Sequence, residues 1–254
     1  MSAKYLSGIG NPLEVNFFDR CVDEVAAELI GCYLFASNDE GRVGGQIIEV
    51  ESYCEIDPAA HCHPQANHTR LEESRPMLSA GGCIYMYPAR LHYYEEGAWC
   101  LNLTSGRAGF GSAVLIRALR PVFGCKLMRD RRKTYSNLLA LRDDEKYEFS
   151  LCNGPGNLWD ALGWLDDREW NGKPYSEAGL EIFRPSNKGQ YPVSCGPRVG
   201  IPEGNAAKEW PRSYILADVA VSKFLSPGAQ SKQRQPYPPL ALEIQELKRR
   251  CGCA

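Results

Sequence analysis

The sequence predicts an α+β fold, on three observations. Segments with helical spacing and segments with strand spacing follow one another in irregular order, not as the regular alternation of a doubly wound sheet. A turn signal at Asn38-Asp39-Glu40-Gly41 joins two neighbouring strand candidates into a hairpin. The chain has 254 residues, 44% hydrophobic and 24% charged, which is globular composition with enough length to bury a full core.

The elements follow in order. Val22–Phe35 begins with helically spaced apolar residues and passes through Gly31 into an apolar run suited to a strand. After the turn, Val43–Tyr53 returns as the second strand of the hairpin. Asp57–Gly82 is polar and turn-rich and reads as a long exposed loop. Strand candidates follow at Cys83–Tyr87, from Trp99 to Asn102-Leu103, and at Ser112–Leu119, an apolar run interrupted by Arg117. Phe123–Arg132 fits a helix, and Gly154-Pro155-Gly156 opens a short one over Leu158–Leu162. Leu180–Phe183 and Tyr214–Phe224 are expected as strands. The stretch Ser226–Pro239 is rich in Pro, Gln and Ser and suits a linker or disordered segment, with a short amphipathic helix at Leu240–Arg250. One domain over residues 1–225 and a Pro/Gln-rich tail over 226–254 are the expected organisation.

Net charge is −2, so the whole chain gives no electrostatic sign of a nucleic-acid partner. Charge is uneven, however. Arg117, Arg120, Lys126, Arg129, Arg131, Arg132 and Lys133 stand against the single acid Asp130, a stretch that reads equally as a phosphate-binding patch or a solvated helix face. The 11 cysteines lack a regular framework, no apolar run follows the start as in a signal peptide, and no stretch reaches membrane-span length. Reduced thiols in an intracellular protein are expected, with no membrane partner.

Ile47-Ile48-Glu49-Val50-Glu51-Ser52-Tyr53 is the most informative segment. On a strand, Glu49, Glu51 and Tyr53 share one face, and two carboxylates there are costly to bury without partners. Pattern alone leaves Glu49 and Glu51 indistinguishable, and an exposed face explains them as well as a cleft does. His61 in the following loop and Arg117 in a buried-looking strand supply the other groups needed to hold and deprotonate a water. His61, Cys62, His63 and His68 lie close in sequence without zinc-site spacing, and no metal or other cofactor is expected. Gly154-Pro155-Gly156 lacks the ending of a phosphate loop.

Several blocks, taken in order, resemble the alkyladenine (3-methyladenine, N-methylpurine) DNA glycosylase family. They are Glu49-Val50-Glu51-Ser52-Tyr53, Asp57-Pro58-Ala59-Ala60-His61, Gly81-Gly82-Cys83-Ile84-Tyr85-Met86-Tyr87, Leu101-Asn102, Ala113 to Pro121, Asn153 to Leu158, Pro197 to Ile201 and Glu209 to Tyr214. The matches run from about residue 14 to 225. The resemblance implies a single mixed domain with a curved, mostly antiparallel sheet surrounded by helices. It implies a monofunctional enzyme that flips alkylated or deaminated purines (3-methyladenine, hypoxanthine or ethenoadenine) from duplex DNA and hydrolyses their bond to deoxyribose, leaving an abasic site. Glu51 would activate the water, with Arg117 and the backbone carbonyl of Val221 as its other partners. Tyr53, His61 and Tyr87 would hold the flipped base, and Asn102 would exclude guanine by its amino group. The implied partner is double-stranded DNA carrying damaged purines, bound by a monomer; the compartment is cytoplasm or nucleoid in a bacterium and the nucleus in a eukaryote. A non-catalytic binder of damaged DNA on the same fold is the alternative.

Two departures fall on the expected DNA-facing side. The interval Pro88–Cys100 is longer than in the family pattern, so Arg90, Leu91, His92, Tyr93 and Tyr94 compete to be the wedge that fills the gap left by the flipped nucleotide; Tyr93 is the expected one. The Asn67–Met77 stretch is also long. No lysine lies in the pocket-building blocks, which favours a water nucleophile over a Schiff base.

Overall fold

The computed structural model describes residues 8–89, 99–135, 145–163, 168–186 and 191–237. Its strands are β1 (Ile9–Pro12), β2 (Tyr33–Asn38), β3 (Gly41–Cys54), β4 (Ile84–Pro88), β5 (Trp99–Thr104), β6 (Ser112–Phe123), β7 (Leu180–Pro185), β8 (Val193–Gly196), β9 (Ser213–Leu216) and β10 (Gln235–Pro236). Its helices are α1 (Val22–Leu29), α2 (His68–Glu73), α3 (Cys125–Tyr135), α4 (Pro155–Leu162) and α5 (Pro227–Gln230), with short 3-10 turns between. The strands form one open sheet in the order β1-β7-β2-β3-β6-β5-β4, from which β9, β8 and β10 branch at β3. All these pairings are antiparallel. The α+β class expected from the irregular order of elements is the class observed.

The 14-residue β3 organises the sheet. Along one edge it pairs with β6 over most of its length; along the other it pairs first with β2 and then, from Glu49, with β9. The register slips on both sides of Glu49, which faces Ala118, so that Ile48 and Arg117 are left without direct opposites. Such bulges bend a strand and re-aim its side chains. Here Val43, Ile47, Ile48, Val50 and Cys54 enter the main core with α1, α4 and the inner residues of β5 and β6. A second, smaller apolar cluster of Met77, Tyr85 and Ala113, with Tyr53, Cys62 and Tyr87 packed on it, lies apart from that core.

Three expectations are corrected. The segment after Asp57 is not a plain exposed loop: it carries α2 and the 3-10 turn Arg75–Leu78, Met77 is 2% exposed, and Asp57 is fully buried between arginines that one-dimensional patterning does not reveal. Tyr214–Phe224 is not one strand. β9 stops at Leu216, and Asp218 accepts a hydrogen bond from the Ala220 N–H (2.8 Å), starting the 3-10 turn Val219–Phe224. The stretch from Ser226, expected as a linker, is built onto the sheet as far as Tyr237 through α5 and the pairing of β10 with β8. The helix expected at Leu240–Arg250 falls outside the described residues.

Most of the basic stretch works inside the fold. Arg131, 5% exposed, binds Glu40 and the carbonyls of Ala161 and Leu162; Arg132 pairs with Asp160, Arg129 with Glu148, and Arg120 with Gln46. Among the described residues no helix is long and apolar enough to cross a membrane.

Candidate active site

The two glutamates of β3 are both fully buried, and the structure tells them apart by their partners. Glu49 accepts from Arg117 Nε at 2.7 Å, from the Ser226 hydroxyl at 2.7 Å and from the Ser226 N–H at 2.7 Å. Glu51 accepts the Val199 N–H on Oε1 (2.7 Å), and the Tyr53 hydroxyl (2.7 Å) and Arg117 Nη1 (3.3 Å) on Oε2. One guanidinium thus spans both carboxylates, an arrangement that suits arginine's planar fork and not lysine's single point charge. Burial works against the Arg117 cation, but the charges of Glu51 and Glu49 outweigh it and raise its pKa above an already high value. The cation is permanent.

Cross-strand register places Glu51 beside the expected pocket. Glu51 lies opposite Leu115, Leu115 opposite Asn102, and Asn102 opposite Tyr85. Directly opposed residues share a sheet face, so these four form a row, with Tyr53 opposite Ala113 in the adjoining row. Asn102 is 2% exposed, and its amide nitrogen donates to the carbonyls of Tyr85 (3.0 Å) and Cys100 (3.1 Å), which fixes the side chain. Burial, reinforced by the Glu51 charge, pushes the Tyr53 hydroxyl well up, keeping it a neutral donor.

The aromatic wall consists of His61, Tyr85 and Tyr87. His61 Nδ1 lies 2.8 Å from the Tyr85 hydroxyl, and the His61 and Tyr87 rings meet edge to face with centroids 4.5 Å apart. His61, Tyr87 and Tyr53 are therefore assembled around one apolar cluster, in which the rings of His61 and Tyr87 touch. A base inserted between them requires the two rings to part. Cys100 lies opposite Tyr87 across β4 and β5, and burial pushes its thiol up to about 11. Among the described residues no cluster of three or more His, Cys, Asp or Glu side chains is placed to hold a metal ion.

Sequence reasoning missed the frame behind β3. Arg198 is 1% exposed; it donates to both Asp57 oxygens (2.5 and 3.0 Å) and to the Ser52 carbonyl (3.0 Å), and its guanidinium lies 4.5 Å from the Tyr53 ring centre. Its neighbour Val199 supplies the N–H to Glu51. Arg212 continues the frame, binding Asp57 at 3.1 Å and reaching Asp23 at 3.7 Å, while Asp23 accepts from Ser52 and from Tyr214 (2.8 Å). Two of the recognisable blocks, Asp57–His61 and Pro197–Ile201, are thus the two halves of one ion pair. The blocks marked both places, but nothing local in either pointed to the other.

Val221 is not among the hydrogen-bond partners of Glu51 or Arg117. It is fully buried on the turn Val219–Phe224, its side chain in the main core and its N–H on the Asp218 carbonyl. Val199 provides the main-chain group that touches Glu51. Tyr93, the expected wedge, lies outside the described residues.

The family described as "Methylpurine-DNA glycosylase (MPG)" matches over residues 16–219. A protein of Rhodopseudomonas palustris (strain HaA2) is 39% identical over 227 residues, covering 89% of this chain and 96% of its own. One from Bacillus subtilis (strain 168) is 33% identical over 218 residues, covering 84% and 97%, and one from Methanoculleus marisnigri is 36% identical over 175 residues, covering 69% and 79%. All three carry the description "Putative 3-methyladenine DNA glycosylase".

Proposed function

This chain belongs to the methylpurine-DNA glycosylase family, and from that membership and the geometry of its site we propose that it excises damaged purines from duplex DNA by hydrolysis, with Glu51 activating the water. The family and the names of its relatives place it among the hydrolases of N-glycosyl bonds that act in DNA repair. The observation that carries the mechanism is the Glu51 cage: a buried carboxylate held by Val199, Tyr53 and Arg117 at the edge of an aromatic pocket.

The chemistry follows from those parts. A nucleotide rotated out of the stack brings its purine against Tyr53, His61 and Tyr87, where stacking is worth about 1–3 kcal/mol per base. A cationic alkylated purine gains further from the electron-rich ring faces. As the C1′–N bond breaks, its electron pair leaves with the purine and the sugar takes on oxocarbenium character. Glu51 takes one proton from a water whose oxygen bonds C1′, and its negative charge steadies the developing cation. Three donors already hold Glu51, leaving one of a carboxylate's roughly four acceptor positions for the water. Arg117 anchors both glutamates and carries no transferable proton at any physiological pH. The Val221 carbonyl accepts the second hydrogen of the water, while the Val199 N–H holds the carboxylate itself.

Asn102 supports discrimination by shape. With both amide hydrogens tied to backbone carbonyls it cannot swing aside, so guanine's 2-amino group meets a fixed obstacle that adenine-derived bases avoid. The cations that act on Glu51 or its neighbour Glu49 include Arg117, Arg198 and Arg234, none of which can form a Schiff base, in keeping with a monofunctional reaction that leaves an abasic site.

The test is excision itself. Duplexes carrying 3-methyladenine, hypoxanthine or 1,N6-ethenoadenine are incubated with the protein and treated with alkali to cut at abasic sites. Wild type is expected to release at least one of these bases and Glu51→Gln none above background. A wild type that binds the duplexes but releases nothing would instead make this fold a non-catalytic reader of damage.

A further inference from the structure

The family match ends at residue 219, yet the structure carries the chain back into the site seven residues later. Ser226 is 3% exposed. Its N–H and hydroxyl bind the two oxygens of Glu49 at 2.7 Å each, and its hydroxyl lies 3.3 Å from Arg117 Nη2. It is the one described residue that hydrogen-bonds both members of the Glu49–Arg117 pair. Two residues on, Gly228 sits so close to Val199 that an added Cβ would collide with the valine methyl. Val199 donates to Glu51, so the same short helix abuts both supports of the candidate water-activating carboxylate. Arg234 then fastens the segment to Ser213, donating to its carbonyl (3.1 Å) and hydroxyl (3.2 Å), and Ser213 lies opposite Glu51 in the sheet. β10 closes the strap by pairing with β8.

We propose that the segment Ser226–Tyr237 is a strap belonging to the active site, with Ser226 as a positioning residue that fixes the Arg117 guanidinium through Glu49. The argument is geometric. Arg117 meets Glu51 at 3.3 Å, the longer of its two carboxylate contacts, so its orientation rests on Glu49, and Glu49 takes two of its three hydrogen bonds from Ser226. Removing the hydroxyl leaves Glu49 one oxygen less restrained and allows the guanidinium to turn away from Glu51. Misplacement on the scale of 1 Å near reacting atoms reduces rates by up to about 100-fold.

This proposal rests on the glycosylase reading, and its test keeps the two apart. In the full-length chain, Ser226→Thr and Ser226→Val place the same bulk at the same point and differ only in the hydroxyl, so they stress folding alike. Single-turnover release of hypoxanthine and the Kd for the same duplex are measured for wild type, both variants and Ser226→Ala. Exchange of the Arg117 Nε proton is followed by NMR as a readout that needs no catalysis. Ser226→Thr is expected to stay within about threefold of wild type in both rate and exchange. Ser226→Val and Ser226→Ala are expected to lose about tenfold or more in release, with unchanged Kd and faster Arg117 exchange. Equal release and equal exchange in the Thr and Val variants would overturn the role of Ser226. If wild type releases no base, the glycosylase reading fails, and Arg117 exchange alone decides whether Ser226 holds the pair.

Discussion

Replacing Arg117 by alanine should destabilise the protein by about 3 kcal/mol, and the figure follows from what the substitution leaves behind. The side chain is 9% exposed and both glutamates it binds are completely buried. Removing one partner of a buried ionic group typically costs about 3–5 kcal/mol, mostly because the remaining charge is stranded. Here neither glutamate is stripped entirely: Glu49 keeps both Ser226 donors and Glu51 keeps Val199 and Tyr53. That places the loss at the lower end, which for a domain of this size lowers Tm by about 6–12 °C. Urea denaturation of wild type, Arg117→Ala, Glu49→Gln and the double variant measures it. Because Arg117 serves Glu49 through the strongest contact, the double variant should lose less than the sum of the singles, by about 1–3 kcal/mol. The sign of any pH dependence on the arginine side is fixed as well. Its folded pKa is raised above an already high ordinary arginine value, so its contribution is complete throughout the physiological range and is lost only in strong alkali. The arginine itself should therefore add no pH dependence between pH 6 and 9. A loss under about 1 kcal/mol, or additive singles, would show that the pair is not the anchor the hydrogen bonds describe.

Three further outcomes follow from the same geometry. Glu51→Gln should slow release by about 100- to 10,000-fold, the range for a general base; it should also cost about 1–3 kcal/mol in stability, since the new amide must face either the Val199 N–H or Arg117. Single-turnover rates and urea midpoints check both halves, and a release rate within threefold of wild type would remove Glu51 from the role. Asn102→Ser should admit guanine, read as new alkali-labile sites at guanines in otherwise undamaged duplex; unchanged guanine release would leave Asn102 a purely structural bridge between β4 and β5. Burial pushes the thiols of Cys32 and Cys62 up to about 12 and those of Cys54 and Cys100 up to about 11. In the unfolded chain they ionise near pH 8.5, so the stability they support is complete below that pH and falls as pH climbs toward 11. At pH 8 the same four cysteines should resist iodoacetamide in the native protein and label once it is unfolded, as mapped by mass spectrometry.

What was legible in the sequence was whatever repeats at short range. The hairpin of β2 and β3 follows from apolar runs around a turn, and the placement of Glu49, Glu51 and Tyr53 on one face follows from strand alternation. Arg117 stood out because a charged residue inside an apolar strand needs a buried partner. The bulges at Ile48 and Arg117 were not legible, since they exist only in the register between two strands. Nor was the fate of the basic stretch: Arg131 and Arg132 look like a surface patch until the chain brings Glu40 and Asp160 to them. A backbone partner leaves no trace in side-chain chemistry, and only the fold shows that Val199 reaches Glu51. Ser226 lies in a stretch whose Pro and Ser content suits a linker, and composition does not register two hydrogen bonds to a carboxylate 177 residues away.

The distribution of buried charge explains why β3 is held so firmly. β3 is gripped from both faces at successive residues. On the core side Ser52 binds Asp23, and Cys54 accepts from Arg212 at 3.2 Å. On the site side Glu51 and Tyr53 are held by Val199, Arg117 and the Arg198 guanidinium. Asp57 joins the two grips, because Arg198 and Arg212 both bind it. Buried ion pairs of this kind add little net stability over a well-packed apolar substitute, yet breaking one is costly. Their value here is directional. Hydrophobic packing would let residues 51–53 shift by fractions of an ångström, whereas the fixed donors of Arg198 and Val199 confine the Glu51 carboxylate within hydrogen-bond tolerances. Asp57 acts at one remove from Glu51: it orients Arg198. Arg198 in turn sets the neighbouring Val199 N–H against Glu51, the proposed proton acceptor.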